Sequence, residues 1–102
     1  MAQRIIIADD HPLFRTALSH AVGKVWRDAL VIEADSAGSA RAELGLGAEC
    51  LLLDLHMEDS DGLTALMDFR QDFPALPIVI VSASEDPRVY AAASQLLSLI
   101  HI

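Results

Sequence analysis

Four short apolar runs constrain the fold of this chain more than any other feature of its sequence. They cover residues 5–8, 30–32, 51–53 and 78–81, and three of them stop abruptly at Asp or Ser. A run that is apolar on both faces is typical of a buried parallel strand. Segments with helical spacing of apolar residues separate the runs. We therefore predict an α/β fold, a doubly wound parallel sheet with helices on both faces.

Turn and capping residues mark the predicted helices. The markers are Pro12 for the first helix, Ser36 with Gly45 and Gly47 for the second, Pro74 for the end of the third, and residues 84–93 for the fourth. Proline suits the first turn of a helix, serine its N-cap and glycine its C-terminal end. The first helix should present one apolar stripe, formed by Leu13, Phe14, Ala17, Leu18, Ala21 and Val22.

Composition excludes several classes of protein. A chain of 102 residues has room for one domain, and its net charge of −8 argues against a surface for nucleic acid or an anionic membrane. Cys50 is the only cysteine, so it forms no internal disulfide, which fits a cytoplasmic protein. No apolar run reaches the ~18 residues of a membrane span.

Polar side chains collect where the predicted strands end. Asp9 and Asp10 follow the first strand, Asp54 follows the third and Ser82 the fourth. Ligands of open parallel sheets bind beyond these carboxyl ends. If the first and third strands are neighbours, three carboxylates converge and repel one another, and a divalent cation such as Mg²⁺ relieves that repulsion. An Asp carboxylate in such a site can act as a nucleophile and form an aspartyl-phosphate.

Other functions on the same type of sheet fit the sequence less well. A flavin or nucleotide carrier needs a phosphate cradle after the first strand, where this chain has Asp9, Asp10 and Pro12. An aspartate-nucleophile phosphatase needs its two acids spaced two residues apart, whereas Asp9 and Asp10 are adjacent. A calcium loop that starts at Met57 is excluded because its first ligand position holds methionine.

A resemblance to a known family rests on three segments in order, IIIADDHPLFRTAL, LLLDLHMEDSDGL and LPIVIVSAS. They resemble the receiver domains of two-component response regulators and, with the intervening lengths, cover residues 4 to about 94. ADDHPLFR with DGL is most similar to LuxR/NarL-type regulators, in which the receiver precedes a helix-turn-helix DNA-binding domain. The resemblance implies the flavodoxin-like or CheY-like receiver fold, with strand order 2-1-3-4.

The resemblance also implies a role for each polar residue at the strand ends. By position, Asp54 matches the phosphoacceptor, and Asp9, Asp10, Asp54 and the backbone carbonyl of His56 match the ligands of Mg²⁺. Ser82 matches the hydroxyl residue that contacts the phosphoryl group and acts as a switch. The implied donor is a phosphohistidine on a sensor histidine kinase, and the implied function is a phosphorylation switch rather than a turnover enzyme.

The chain departs from the family pattern at several places. Glu58 and Asp59 stand where the family usually has proline and glycine, and Lys24 is the only lysine, so the family's catalytic lysine has no counterpart here. We expect a receiver domain at residues 4–96 that lacks the fifth strand and the last helix. Residues 97–102 are what CTG-TCT-CTT-ATA-CAC-ATC would encode, a sequence that resembles the transposon end of library adapters, so we expect a non-native tail there.

These departures leave two alternatives open. One is a phosphorylation-independent interaction module of receiver shape, and the other is a non-functional fragment. Without a fifth strand, residues 78–81 would form an unpaired apolar edge, and we expect poor solubility or a homodimer as a result.

Overall fold

The computed structural model describes residues 3–57 and 60–81. Four strands form one parallel sheet: β1 (Gln3–Ala8), β2 (Ala29–Ala34), β3 (Cys50–Leu53) and β6 (Ile78–Ile80). Their order in the sheet is β2-β1-β3-β6. This is the predicted order 2-1-3-4, with β6 as the fourth strand, and it confirms the CheY-like receiver fold.

Three helices connect these strands: α1 (Pro12–Val25), α2 (Ala37–Leu44) and α3 (Gly62–Asp72). Pro12 opens α1 as predicted, because the first turn of a helix does not need its missing N–H. Ser36 caps α2, since its Oγ accepts a hydrogen bond from the Ser39 N–H at 3.0 Å. Gly47 follows α2 with φ of +100°, a backbone conformation that favours glycine.

A short hairpin between the sheet and α3 was not predicted. Its strands are β4 (His56–Met57) and β5 (Ser60–Asp61), which pair antiparallel with His56 opposite Asp61. The sequence predicts only a polar loop here, because two-residue strands are too short to show a period of hydrophobicity. Several features that the sequence predicts lie outside the described residues. They are the fourth helix at residues 84–93, Ser82, Glu58, Asp59 and the tail at residues 97–102.

Alternate residues of the strands face opposite sides of the sheet and build two apolar cores. One core packs Ile6, Leu51 and Leu53 against α2 and α3, where Phe69 is buried. The other packs Ile5, Ile7, Leu52 and Val22 together, so α1 covers the second face. Helices on both faces confirm the doubly wound arrangement and explain why the strands are apolar on both sides.

The apolar stripe of α1 is buried only in part. Val22 is buried and Leu18 is partly buried, but Leu13 is 89% exposed. Phe14, Ala17 and Ala21 are also exposed. Only the second half of α1 packs on the described sheet, since its first turn lies near the carboxyl ends of the strands. The apolar spacing therefore predicted the helix correctly, and within the described part of the chain only part of its apolar stripe is covered.

Candidate functional site

The pairing of β1 with β3 places two acidic residues side by side. Ala8 lies opposite Leu53 in the parallel register, so the next residue of each strand, Asp9 or Asp54, leaves the sheet at the same edge. The Asp9 N–H donates to the carbonyl of Ala34 at 3.0 Å, and the Asp54 N–H donates to the carbonyl of Ala8 at 2.9 Å. These bonds extend the strand ladders by one residue and fix both backbones.

The carboxylates of Asp9, Asp10 and Asp54 form one cluster with His11. A ligand atom from each of the four residues lies within 4.8 Å of the others. Asp9 is 1% exposed and Asp54 is 5% exposed, so both acids are removed from water. Like charges at this separation repel one another, and burial strengthens the repulsion. The predicted convergence of the three acids is therefore what the structure contains.

The imidazole of His11 lies among the three carboxylates. Its Nδ1 is 3.0 Å from Asp9 Oδ1, 3.0 Å from Asp10 Oδ1 and 3.5 Å from Asp54 Oδ2. The hydrogen bond with Asp9 raises the pKa of His11, and the negative charges of Asp10, Asp9 and Asp54 add to the rise. From the sequence, His11 could either tune the local charge or lie on the surface. Its ring is 63% exposed and still contacts the cluster, so it does both.

Arg15 is a residue of the site that the sequence reasoning missed. Its Nη1 donates to the backbone carbonyl of Asp9 at 2.7 Å, and its Nε donates to Glu33 Oε1 at 3.0 Å. The guanidinium thus connects α1 to β2 and holds the backbone that carries the first acid. The signal in the sequence was an arginine in the first turn of the helix that follows the acidic pair.

The cluster fits a hard divalent cation. Asp9 Oδ2 is buried and has no hydrogen-bond partner among the described residues, which is costly for a carboxylate oxygen unless a ligand completes it. Asp9 Oδ1, in contrast, accepts a hydrogen bond from the His11 N–H at 2.7 Å. Mg²⁺ prefers a few carboxylate oxygens together with water and phosphate, so the donor set of Asp9, Asp10 and Asp54 suits it.

The remaining predicted site residues are placed only in part. The backbone of His56 lies in β4, two residues after Asp54, and Ser82 is outside the described residues. Lys24 lies in the last turn of α1. That helix begins beside the cluster and its 14 residues span about 20 Å, so Lys24 lies far from the acids.

Cys50 takes no part in the acidic cluster. It opens β3, at the end of the strand opposite to Asp54, and its thiol is free. Partial burial raises the pKa of this thiol, which keeps it in the less reactive protonated form. Cys50 is half-buried and packs against the core that α1 covers.

Comparisons with known proteins agree with this geometry. Residues 5–97 match the response regulator receiver domain family. The glycerol metabolism activator of Pseudomonas putida is 38% identical over 92 residues, which are 88% of this chain and 42% of that protein. The response regulator VraR of Staphylococcus aureus is 30% identical over 94 residues, 90% of this chain and 45% of that protein. The chain thus spans less than half the length of these relatives.

Solved structures give the same result for the fold. The isolated receiver of RcsB from Salmonella enterica, determined in the presence of the phosphomimetic BeF₃⁻, superposes with a TM-score of 0.83 at 26% identity and covers 94% of this chain and 72% of that one. The response regulator TrrA of Thermotoga maritima, in complex with Mg²⁺-BeF, has a TM-score of 0.82 at 20% identity and covers 98% and 85%.

No helix in the described part of the chain is long and apolar enough to cross a membrane.

The sheet order, the acids at its edge and the match over residues 5–97 lead to one assignment. This chain belongs to the response regulator receiver family, whose members are components of two-component signalling.

Proposed function

We propose that this chain is a phosphoacceptor switch in which Asp54 receives a phosphoryl group in the presence of Mg²⁺. The observation that carries the proposal is the buried cluster of Asp9, Asp10 and Asp54, in which Asp9 Oδ2 has no hydrogen-bond partner among the described residues. The mutual repulsion of these buried carboxylates is relieved when a divalent cation binds among them. Receiver domains work with histidine kinases and are typically not enzymes, so the site serves a signal rather than turnover.

The proposed step is one nucleophilic displacement at phosphorus. A carboxylate oxygen of Asp54 forms the new O–P bond while the N–P bond of a phosphohistidine on the sensor kinase breaks, and the bonding electrons return to that imidazole, which takes up a proton. Bound Mg²⁺ supplies charge neutralisation for the carboxylates and the phosphoryl oxygens. Asp9, Asp10, Asp54 and the His56 carbonyl are its proposed ligands, and Ser82 the proposed contact of the phosphoryl group.

The buried backbone of the site supports this assignment of roles. Asp54 is 5% exposed and its N–H is bonded to Ala8, so the nucleophile is held in one place at the sheet edge. A fixed nucleophile beside a cation site lowers the entropic cost of in-line attack. Asp10, with its side chain 19% exposed, lies at the outer rim, where a partner protein can approach the cluster.

We further propose the regulatory setting of this switch. The sequence relatives are regulators more than twice as long as the matched segment, which supports a receiver that controls an output domain. The ADDHPLFR and DGL segments favour a LuxR/NarL-type regulator with a DNA-binding output, located in the cytoplasm with the kinase's phosphoryl-donor domain. We assign residues 4–96 to the receiver and residues 97–102 to a non-native tail.

A homodimer is part of the same proposal. Within the described part of the chain, β6 is an edge strand of the parallel sheet, and an unpaired edge favours pairing with another chain. Sedimentation velocity should give a dimer or a larger species. A single monomeric boundary over a wide concentration range would argue against self-association.

Acetyl phosphate provides the direct test of the phosphoacceptor. We expect intact-mass spectrometry to detect one phosphoryl adduct that requires Mg²⁺ and disappears in Asp54→Asn. Asp68→Asn is the matched control, because Asp68 is an exposed acid on α3 outside the cluster. An adduct that persists in Asp54→Asn would refute the assignment of the phosphoacceptor.

The second candidate function is a phosphorylation-independent interaction module. The observation that favours it is the pair of acids Glu58 and Asp59, which stand where the family usually has proline and glycine and add negative charge to the sequence that follows Asp54. A chain that binds Mg²⁺ but forms no adduct with acetyl phosphate would support this candidate over the phosphoacceptor.

A further inference from the structure

We propose that His11 is an additional protein ligand of the cation site, and that its imidazole makes the pocket prefer borderline dications such as Ni²⁺ and Co²⁺ over Mg²⁺. The inference rests on the proposed cation site at Asp9, Asp10 and Asp54. It goes beyond that site in assigning a nitrogen donor and a metal selectivity to it.

The backbone of His11 is fixed against the cluster. His11 is the N-cap of α1, with φ of −99° and ψ of 101°, and its side chain makes no capping hydrogen bond. Its N–H donates instead to Asp9 Oδ1 at 2.7 Å. The residue is therefore anchored beside the first acid, and its side chain is not needed to satisfy the helix N-terminus.

The position of the ring is that of a ligand. Nδ1 lies 3.0 Å from an oxygen of Asp9, 3.0 Å from one of Asp10 and 3.5 Å from one of Asp54. Metal–ligand bonds of about 2.0–2.2 Å place adjacent donor atoms about 3 Å apart around an ion. One small shift of an exposed side chain thus lets Nδ1 and the carboxylates share a single cation.

A second, independent observation points to a ligand at the same place. Asp9 Oδ2 is buried in a residue that is 1% exposed, and it has no hydrogen-bond partner in the part of the chain that the structure describes. The other oxygen of the same carboxylate is occupied by His11. One carboxylate therefore contacts the imidazole and also presents an unsatisfied oxygen.

Ligand chemistry gives the selectivity. Carboxylate, carbonyl and water oxygens suit Mg²⁺, whereas imidazole suits Zn²⁺, Cu²⁺ and Ni²⁺. Mg²⁺ also keeps several of its waters, so it gains little from one nitrogen. An all-oxygen receiver site has no such donor. With His11 in reach, this pocket should hold Ni²⁺ or Co²⁺ more tightly than Mg²⁺, and these ions should displace Mg²⁺ from it.

The test is isothermal titration of the whole chain with Mg²⁺, Ni²⁺ and Co²⁺ at one fixed pH. We expect wild type to bind Ni²⁺ more tightly than Mg²⁺. His11→Ala should weaken Ni²⁺ binding at least about tenfold, because even outer-shell partners of a metal ligand are worth about 10–100-fold. The same variant should change Mg²⁺ binding much less than Ni²⁺ binding, because Mg²⁺ gains little from one nitrogen. His20→Ala is the matched control, since His20 is an exposed histidine on the same helix.

A spectroscopic measurement separates coordination from a general effect of charge. Pulsed EPR of bound Cu²⁺ should detect a directly coordinated ¹⁴N in wild type and in His20→Ala, and should lose it in His11→Ala. Asp9→Asn should weaken both Mg²⁺ and Ni²⁺, which locates the two ions at one site.

Three outcomes would overturn the inference: equal Ni²⁺ affinity in wild type and His11→Ala, retention of the ¹⁴N signal in His11→Ala, or Ni²⁺ binding that survives Asp9→Asn. The failure of the proposed function is distinguishable from these. If the proposed function is wrong, the wild-type protein binds no Mg²⁺, or it forms no phosphoryl adduct, or it forms an adduct that does not depend on Asp54.

Discussion

Asp9 and Asp54 lie next to each other at the edge of the sheet because Ala8 and Leu53, one residue earlier in each strand, are paired in parallel register. The two acids are 45 positions apart in sequence and are both buried. Parallel pairing of apolar strands therefore creates the charge repulsion on which the proposed cation site depends.

Removing one charge from the cluster should stabilise the metal-free protein. Asp9→Asn keeps an oxygen for the hydrogen bonds from His11 and removes a buried negative charge. We expect the free energy of unfolding to rise by about 1 kcal/mol, as is common when a strained functional site is relieved. Urea denaturation with a chelator measures this change. Asp68→Asn should leave it unaltered, and a lower stability for Asp9→Asn would contradict the repulsion argument.

With Mg²⁺ bound, wild type should be more stable than Asp9→Asn, which is the reverse of the order expected without metal. A ligand that binds only the folded state at a concentration of 100 Kd adds about 2.7 kcal/mol. We expect Mg²⁺ to raise the Tm of wild type and to have little effect on the Tm of Asp9→Asn. The substitution alters the carboxylate whose Oδ2 has no hydrogen-bond partner among the described residues and is therefore available to bind Mg²⁺. Thermal unfolding followed by circular dichroism tests this. An equal rise in both proteins would place the bound Mg²⁺ elsewhere.

Arg15 should matter more for the site than a surface arginine does. Its side chain is 17% exposed, and Arg15→Ala leaves the carbonyl of Asp9 without its charged donor. We expect a loss of about 1–3 kcal/mol in the free energy of unfolding, together with weaker Mg²⁺ binding, since the Asp9 backbone loosens.

Two further variants isolate the contact between Arg15 and Asp9. Glu33→Gln removes only the ion pair with Arg15 and should cost about 0–1 kcal/mol, because the Glu33 side chain is 37% exposed. Arg15→Lys should restore part of the Mg²⁺ affinity. If Arg15→Ala and Glu33→Gln have the same effect, the ion pair rather than the Asp9 contact explains the role of Arg15.

The folded metal-free protein should lose stability as the pH rises through the pKa of His11. Contact with Asp9 raises this pKa above 6.5, so the protonated imidazole stabilises the folded state. That contribution is fully present below the unfolded value and disappears as the pH rises through the folded value. NMR titration of the ring should give a pKa above 6.5, and Asp9→Asn should lower it. A pKa at or below 6.5 in wild type would disprove the contact in solution.

The core against α2 and α3 should dominate the stability of the fold. Phe69 is 2% exposed in this core, so Phe69→Ala should cost about 3–5 kcal/mol in the free energy of unfolding. Met67→Ala is the matched control on the same helix, because Met67 is 53% exposed and should change stability by less than about 0.5 kcal/mol. Chemical denaturation compares the two, and similar losses would contradict the assigned orientation of α3.

The amino-acid sequence by itself determined the order of strands and helices and the positions of Asp9, Asp10 and Asp54 at strand ends. These properties follow from local spacing. Buried parallel strands must be apolar on both faces, so charged residues occur only beyond the point where a strand ends. The N-cap at Ser36 was likewise readable, because a cap bonds to a neighbour three residues away.

Only the tertiary structure decided that His11 and Arg15 join the three acids at the site. Arg15 reaches the carbonyl of Asp9 and the carboxylate of Glu33 because α1 crosses beside β2, and His11 enters the cluster because the Asp9 side chain binds its N–H. The exposure of Leu13 has the same origin. Periodicity records which residues share a helix face, but how far that face extends over the sheet depends on contacts between segments that are distant in sequence.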